Sequence, residues 1–257
     1  MTVPVGAAPS NTAPGSPHPA PRRAARSDGE DTRARLLLVA LQLFSERGFA
    51  QTSVRAIAEA AGTNVAAIAY HFGDKAGLYT ATFYEPFGSG SELIPVFSDP
   101  ALDLPQALHC YFAGFLEPLK HEGLVTQSLR LHVRELLDPT HVWPDLIERE
   151  CRAPHLALLQ VLGRHMGVTE VDDDLHQLAF SLAGLVMQLW TQRDPLLAVA
   201  PHLAGSGAVD LWVQRLTGFA LSMVEGEKER RQKGTEREGA GPAQVRGTAR
   251  SNKENKA

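Results

Sequence analysis

From about residue 31 to residue 226 the apolar positions recur every three or four residues, the period of helices with one buried face. Asp31 or Thr32 is placed to cap a helix that puts Leu36, Ala40, Leu43 and Phe44 on one face, and Gly48 is placed to end it. Thr52 or Ser53 then starts a short helix carrying Val54, Ile57, Ala58 and Ala61 at i, i+3, i+4, i+7, closed by Gly62. Thr63 or Asn64 caps Val65 to His71, and Asp74 caps a fourth helix through Leu78, Tyr79 and Phe83. Longer helices follow at 104–120, 123–137, 143–166, 173–193 and 207–226, with breaks at Gly123, Asp138-Pro139, Gly167 and Asp194-Pro195. No stretch alternates with period two between hairpin turns, so the expected fold class is all-α.

The ends of the chain lack this periodicity. Residues 1–29 are rich in Pro, Ala and Ser, and residues 227–257 alternate Lys, Arg, Glu and Gly, so both are expected to be disordered. Between them lie an N-terminal helical domain at 30–90 and a larger one at 91–226. The net charge of −4 is unevenly spread: +2 over residues 1–75, −9 over 76–224 and +3 over 225–257. An acidic body between basic ends suits a protein that offers only one part of itself to a polyanion. Cys110 and Cys151 cannot frame a disulfide scaffold and match no zinc spacing. The N-terminal stretch has no apolar signal core, and Gln177 to Gln192 is too short and too polar to span a membrane, so a soluble cytoplasmic protein is expected.

The candidate chemistry lies early. A helix, a glycine turn and a second short helix at about 53–72 have the spacing of a helix-turn-helix. Ala58 is small where the two helices cross, Gly62 permits the turn, and Ile57 and Ile68 would bury against the first helix through residues such as Phe44. That leaves Asn64, Val65, Ala67, Tyr70 and His71, with Thr63 at the turn, to face a DNA major groove. Thr52, Ser53, Arg55, Tyr70 and Lys75 are placed for phosphates, and Arg22, Arg23 and Arg26 could form a basic arm.

At these residues the chain resembles the TetR family of transcriptional regulators. The resemblance rests on Thr52-Ser-Val-Arg-Ala-Ile-Ala-Glu-Ala-Ala-Gly62, Tyr70-His-Phe-Gly-Asp-Lys75 and Leu78, and covers about 31–83. Where many members carry Tyr, and the subgroup reading Asn-x-Ala-Ala-Ile-Asn-Tyr-His-Phe carries Asn, this chain has Ala69, which moves the phosphate contact there to Tyr70. Arg134-Glu-Leu-Leu-Asp-Pro-Thr140 and Ala179 to Leu189 are similar to the ligand domain of the CerR/CecR-like subgroup. The resemblance implies a repressor that binds double-stranded operator DNA as a homodimer and is released by a small-molecule effector. Its dimer interface would be helices 173–193 and 207–226, through Leu178, Leu182, Leu185 and Leu189 on one and Leu211, Leu216, Phe219 and Met223 on the other. The same two stripes equally fit an intramolecular core.

Phe112, Trp143, Met187 and Trp190 are candidate pocket walls, and Arg130 and Arg134, one turn apart, are candidate contacts for an acidic effector or partners in surface ion pairs. His132, His141 and His176 stand singly, and Asp172 to Asp174 suit a helix dipole, so neither a metal nor a cofactor is expected. No nucleophile motif, P-loop or dinucleotide fingerprint occurs, which argues against an enzyme. A ligand-independent DNA-binding protein is the other reading.

Overall fold

The computed structural model describes residues 22–239. Among them are twelve α-helices and no strand. Four form the N-terminal unit: α1 (Arg22–Gln51), α2 (Val54–Ala60), α3 (Val65–Phe72) and α4 (Lys75–Tyr84). The body holds α5 (Ile94–Phe97), α6 (Leu104–Leu116), α7 (Glu122–Leu137), α8 (Trp143–Leu146), α9 (Ala153–Met166), α10 (Asp173–Thr191), α11 (Arg193–Val199) and α12 (Val209–Gly239). A π-helical turn, Ile147–Arg152, joins α8 to α9.

The long helices lie close to where the apolar period put them, and three boundaries differ. The first helix begins at Arg22, not at 31, because residues 22–28 include Ala and Arg, favourable in a helix, and no proline. The expected arm over 1–29 is therefore helical from residue 22, and its first 21 residues lie outside those described. The last helix continues to Gly239, through much of the tail expected to be disordered; residues 240–257 lie outside those described. Ion pairs tie the first part of that extension, residues 227–231, to the body. Glu227 accepts from Arg230 and Arg231 one turn on, Arg231 also grips Asp172 at 2.6 Å, and Arg230 pairs with Asp174. The acidic run 172–174 thus serves the dipole of α10, where Asp172 caps Leu175, and holds α12 besides. Gly123, expected as a break, sits in the first turn of α7.

Two hydrophobic cores form. One gathers Leu108, Phe112, Leu162, Leu182 and Leu216 from α6, α9, α10 and α12. The other gathers Leu36, Phe44, Ile57, Ile68, Leu78 and Tyr79 from α1 to α4, together with Leu131, Val142 and Leu146. The last three belong to α7, α8 and the segment between them. The N-terminal unit consequently does not end near residue 90 in packing, because part of 91–226 completes its core.

That junction is fixed by polar contacts. Glu135 on α7 has no exposed surface. Its Oε2 accepts from the Tyr79 hydroxyl at 2.8 Å, and Oε1 accepts from the amide and hydroxyl of Thr140 at 2.6 and 3.0 Å. Burial, then the bond to Glu135, holds the Tyr79 phenol above its usual range, so it stays a donor. Next door, Arg134 donates to the Glu46 carbonyl at 3.2 Å and packs against Gly48, whose φ of +81° turns the end of α1.

Tyr79→Phe removes one donor from a buried carboxylate. It is expected to lower stability by about 1–3 kcal/mol in urea denaturation. An unchanged midpoint would mean that the contact does not brace the junction.

Candidate nucleic-acid interface

Each element of the helix-turn-helix is started by a side chain that accepts a backbone amide. Ser53 caps Ala56, Asn64 caps Ala67 at 3.0 Å and Asp74 caps Gly77 at 2.8 Å. Gly62 makes the turn at φ +64°. Ile57 and Ile68 are sealed in the core at 0% and 1% exposure, and Ala58 is buried at the crossing. The outer face of α3 is what remains. Val65 is 44% exposed and Tyr70 85%, with Asn64 and Ala69 also exposed. His71 is half-buried, its ring between those of Tyr70 and Phe72. Ala67 and Thr63 are half-buried beside them.

Around this face stand Ser53 and Arg55, both exposed, and Lys75, whose Nζ lies 4.3 Å from the centre of the Phe49 ring. Burial there lowers the Lys75 pKa. Thr52 is corrected. It is 1% exposed, and its hydroxyl donates inward to the carbonyls of Gly48 and Leu43 at 2.8 and 3.2 Å. It locks the α1–α2 turn and presents no side chain outward. Sequence reading missed Arg33, which pairs with Glu85 and lies over the Phe72 ring, strapping α1 to α3 and α4. Only its charge was legible; the partner is 52 residues away.

The six candidate pocket residues do not come together. Phe112 is at 0% exposure in the body core, and Trp190 donates to the Phe115 carbonyl there. Arg134 and Trp143 belong to the seam with the N-terminal unit, Arg130 is exposed on α7, and Met187 is 52% exposed on the outside of α10. An open cleft of about 340 Å³ lies elsewhere, between α6 and α12, lined by His109, Glu117, Asp210 and Gln214 among others. The histidines read as solitary have partners: His132 bonds the Ser128 carbonyl, His141 packs on Phe49, and His176 meets His155 at 2.9 Å. Among the described residues no three metal-ligating side chains cluster.

Two family profiles match. "Bacterial regulatory proteins, tetR family" covers residues 36–82, and "HTH-type transcriptional dual regulator CecR, C-terminal domain" covers 104–226. Over 58 residues the chain is 43% identical to the HTH-type transcriptional regulator AcrR of Shigella flexneri, a match spanning 23% of this chain and 27% of that protein. The chain thus matches about a quarter of that curated relative's length. A solved chain from Pseudomonas aeruginosa PAO1 superposes with a TM-score of 0.59 at 21% identity, over 81% of this chain and 98% of that one. The fatty acid degradation regulator FadR of Bacillus halodurans gives 0.53 at 19% identity, over 73% and 95%. At these identities the two structures speak for the fold alone.

The cap on α3 can be isolated. Asn64→Ala is expected to cost about 1 kcal/mol by urea denaturation, and Asn64→Asp close to nothing, since Asp accepts the same amide. Equal losses would assign Asn64 a role other than capping.

Proposed function

Because the chain belongs to the tetR family of bacterial regulatory proteins, we propose that it binds a specific DNA operator as a homodimer and represses transcription until a small-molecule effector releases it. The observation that carries the DNA reading is the exposed face of α3. An eight-residue helix has its apolar side sealed and its other side presented, with Asn64, Val65, Tyr70 and His71 available to base edges. Asn and His supply hydrogen bonds, and Val65 suits a thymine methyl. The flanking N-termini of α2 and α4, with Ser53, Arg55 and Lys75, are suited to phosphates.

Homodimerisation is supported by a face that keeps Leu211 and Phe219 of the expected α12 stripe and replaces the expected α10 stripe. Leu178, Leu182, Leu189 and Leu216 are intramolecular core, and Leu185 and Met223 pack against it. The opposite side of α10 exposes Phe180 at 65% and Met187 at 52%, and α12 exposes Leu211 at 56% and Phe219 at 41%. Large apolar side chains clustered on two adjacent helices call for cover. A second copy would cover them, and operator binding requires that dimer to hold its two α3 helices at the spacing of successive major grooves, about 34–36 Å. Among the described residues no helix is long and apolar enough to cross a membrane.

Release requires the effector to prefer a dimer with another α3 spacing. Coupling of about 1–3 kcal/mol is typical. Because Leu131 and Leu146 complete the core of α1 to α4, α7 and α8 are suited to carry that movement.

The first test is binding to the chain's own upstream duplex and to a shuffled one across a salt series. A preference of about a thousandfold, with two half-sites in a footprint, is expected. Equal, weak, salt-sensitive binding to both would refute the proposal.

Arg55→Ala should weaken both duplexes alike and reduce the salt slope by about one, whereas Asn64→Asp should alter base preference with the fold intact. Phe180→Glu combined with Met187→Glu should give a monomer by sedimentation velocity, at least tenfold weaker on the two-half-site operator. A dimer that persists in this variant would exclude that face.

A further inference from the structure

The π-helical turn Ile147–Arg152 lies between the two cores, following Leu146 of one and preceding Ala157 of the other. Wide turns of this kind are rare, occur mostly as single turns inside α-helices and are frequent at functional sites. Within this turn lies Glu150. Its Oε2 accepts from the Gly90 amide at 2.9 Å, while its Oε1 is enclosed and receives no protein donor. A buried acceptor left so is unfavourable, and more so when charged.

What surrounds it is apolar and negative. A Cβ placed on Gly90 would lie 3.1 Å from Glu150 Oε2, 3.1 Å from Phe115 and 3.2 Å from Pro154, so three side chains converge on one glycine. The Tyr111 ring lies tilted against that of Phe115, their centres 4.8 Å apart, and Leu93 presses against Gly114. The charged groups that act on Glu150 are Glu92, Asp145 and Arg149. Arg149 is engaged elsewhere, bonded to Asp145 at 3.2 Å and lying over the Tyr84 ring. The cleft between α6 and α12 makes no comparable demand, since Lys120 already satisfies its Glu117 and Asp210 at 2.9 and 3.0 Å.

We propose that the junction of Glu150, Gly90 and Phe115 is the effector site and that it takes a protonated amine carried on an apolar body. The N–H supplies the donor that Oε1 lacks, in a charge-assisted hydrogen bond, and Phe115, Tyr111 and Pro154 meet the apolar part. Seating the ligand requires the Gly90 turn and Phe115 to part. Binding and displacement of the Gly90–Leu93 turn from the π-helical turn are then one event. This rests on the regulator reading for its consequence, not for the binding itself.

Burial raises the Glu150 carboxyl to about 7, against the opposing pull of the Gly90 amide. An alkylamine, with a pKa near that of Lys at about 10.4, stays protonated throughout the neutral range. Amine affinity should therefore fall as pH drops from 8 to 6 and the carboxylate is lost.

The experiment is calorimetric titration of the full chain with 4-phenylbutylamine and with its neutral counterpart 4-phenylbutanol. The amine is expected to bind at least tenfold tighter at pH 8, with that preference shrinking at pH 6. Glu150→Gln should bring the two within about twofold and remove the pH dependence, with the alcohol unaffected. Should that variant misfold by circular dichroism, Gly90→Ala, which crowds the same point, should weaken both ligands. Equal binding of amine and alcohol, no binding of either, or a preference that survives in Glu150→Gln overturns the proposal. Operator binding measured without amine reports on the regulator reading separately.

Discussion

Glu135 is a carboxylate taken wholly out of solvent, and such a group is tolerated only when hydrogen bonds replace its water. Tyr79 and Thr140 provide them, from α4 and from the segment after α7. The three residues can be satisfied only if α4, α7 and residue 140 keep one arrangement. Arg134 adds a second tie to the end of α1 beside Gly48, where any side chain would meet its guanidinium. The orientation of α3 is referred to this point, since α3 packs on α1, α2 and α4.

The consequence is a division of the molecule that differs from its order in sequence. Leu131, Val142 and Leu146 complete the N-terminal core, so α7 and α8 belong mechanically with the helix-turn-helix. The remaining helices form a second core around Phe112, Leu162 and Leu182. The connections between the cores are few and irregular: a 3-10 turn at Glu117–Lys120, the Gly90–Leu93 turn and the π-helical turn. Packed cores resist small deformation, so a signal that shifts one against the other must act at these connections.

Much of the architecture was legible beforehand. Glycines and caps marked α2, α3 and α4 correctly, because the hydrogen bonds that start and stop helices are made within three or four residues. The 3.6-residue period located the long helices for a similar reason. It failed at the tail, where α12 is held by Asp172 and Asp174, some 56 to 59 residues away. It also failed at Thr52, whose hydroxyl reads as a ready phosphate ligand until the turn at Gly48 draws it inward.

The sequence by itself determined an all-helical chain, the place of its helix-turn-helix and which side of α3 is apolar, since all three follow from local spacing and residue type. Only the tertiary structure decided which apolar residues of α10 and α12 are core and which are open. It alone paired Tyr79 with Glu135 and Arg33 with Glu85, and left Glu150 one donor short. Those outcomes depend on which distant elements meet, and helical periodicity carries no information about a partner more than a turn away.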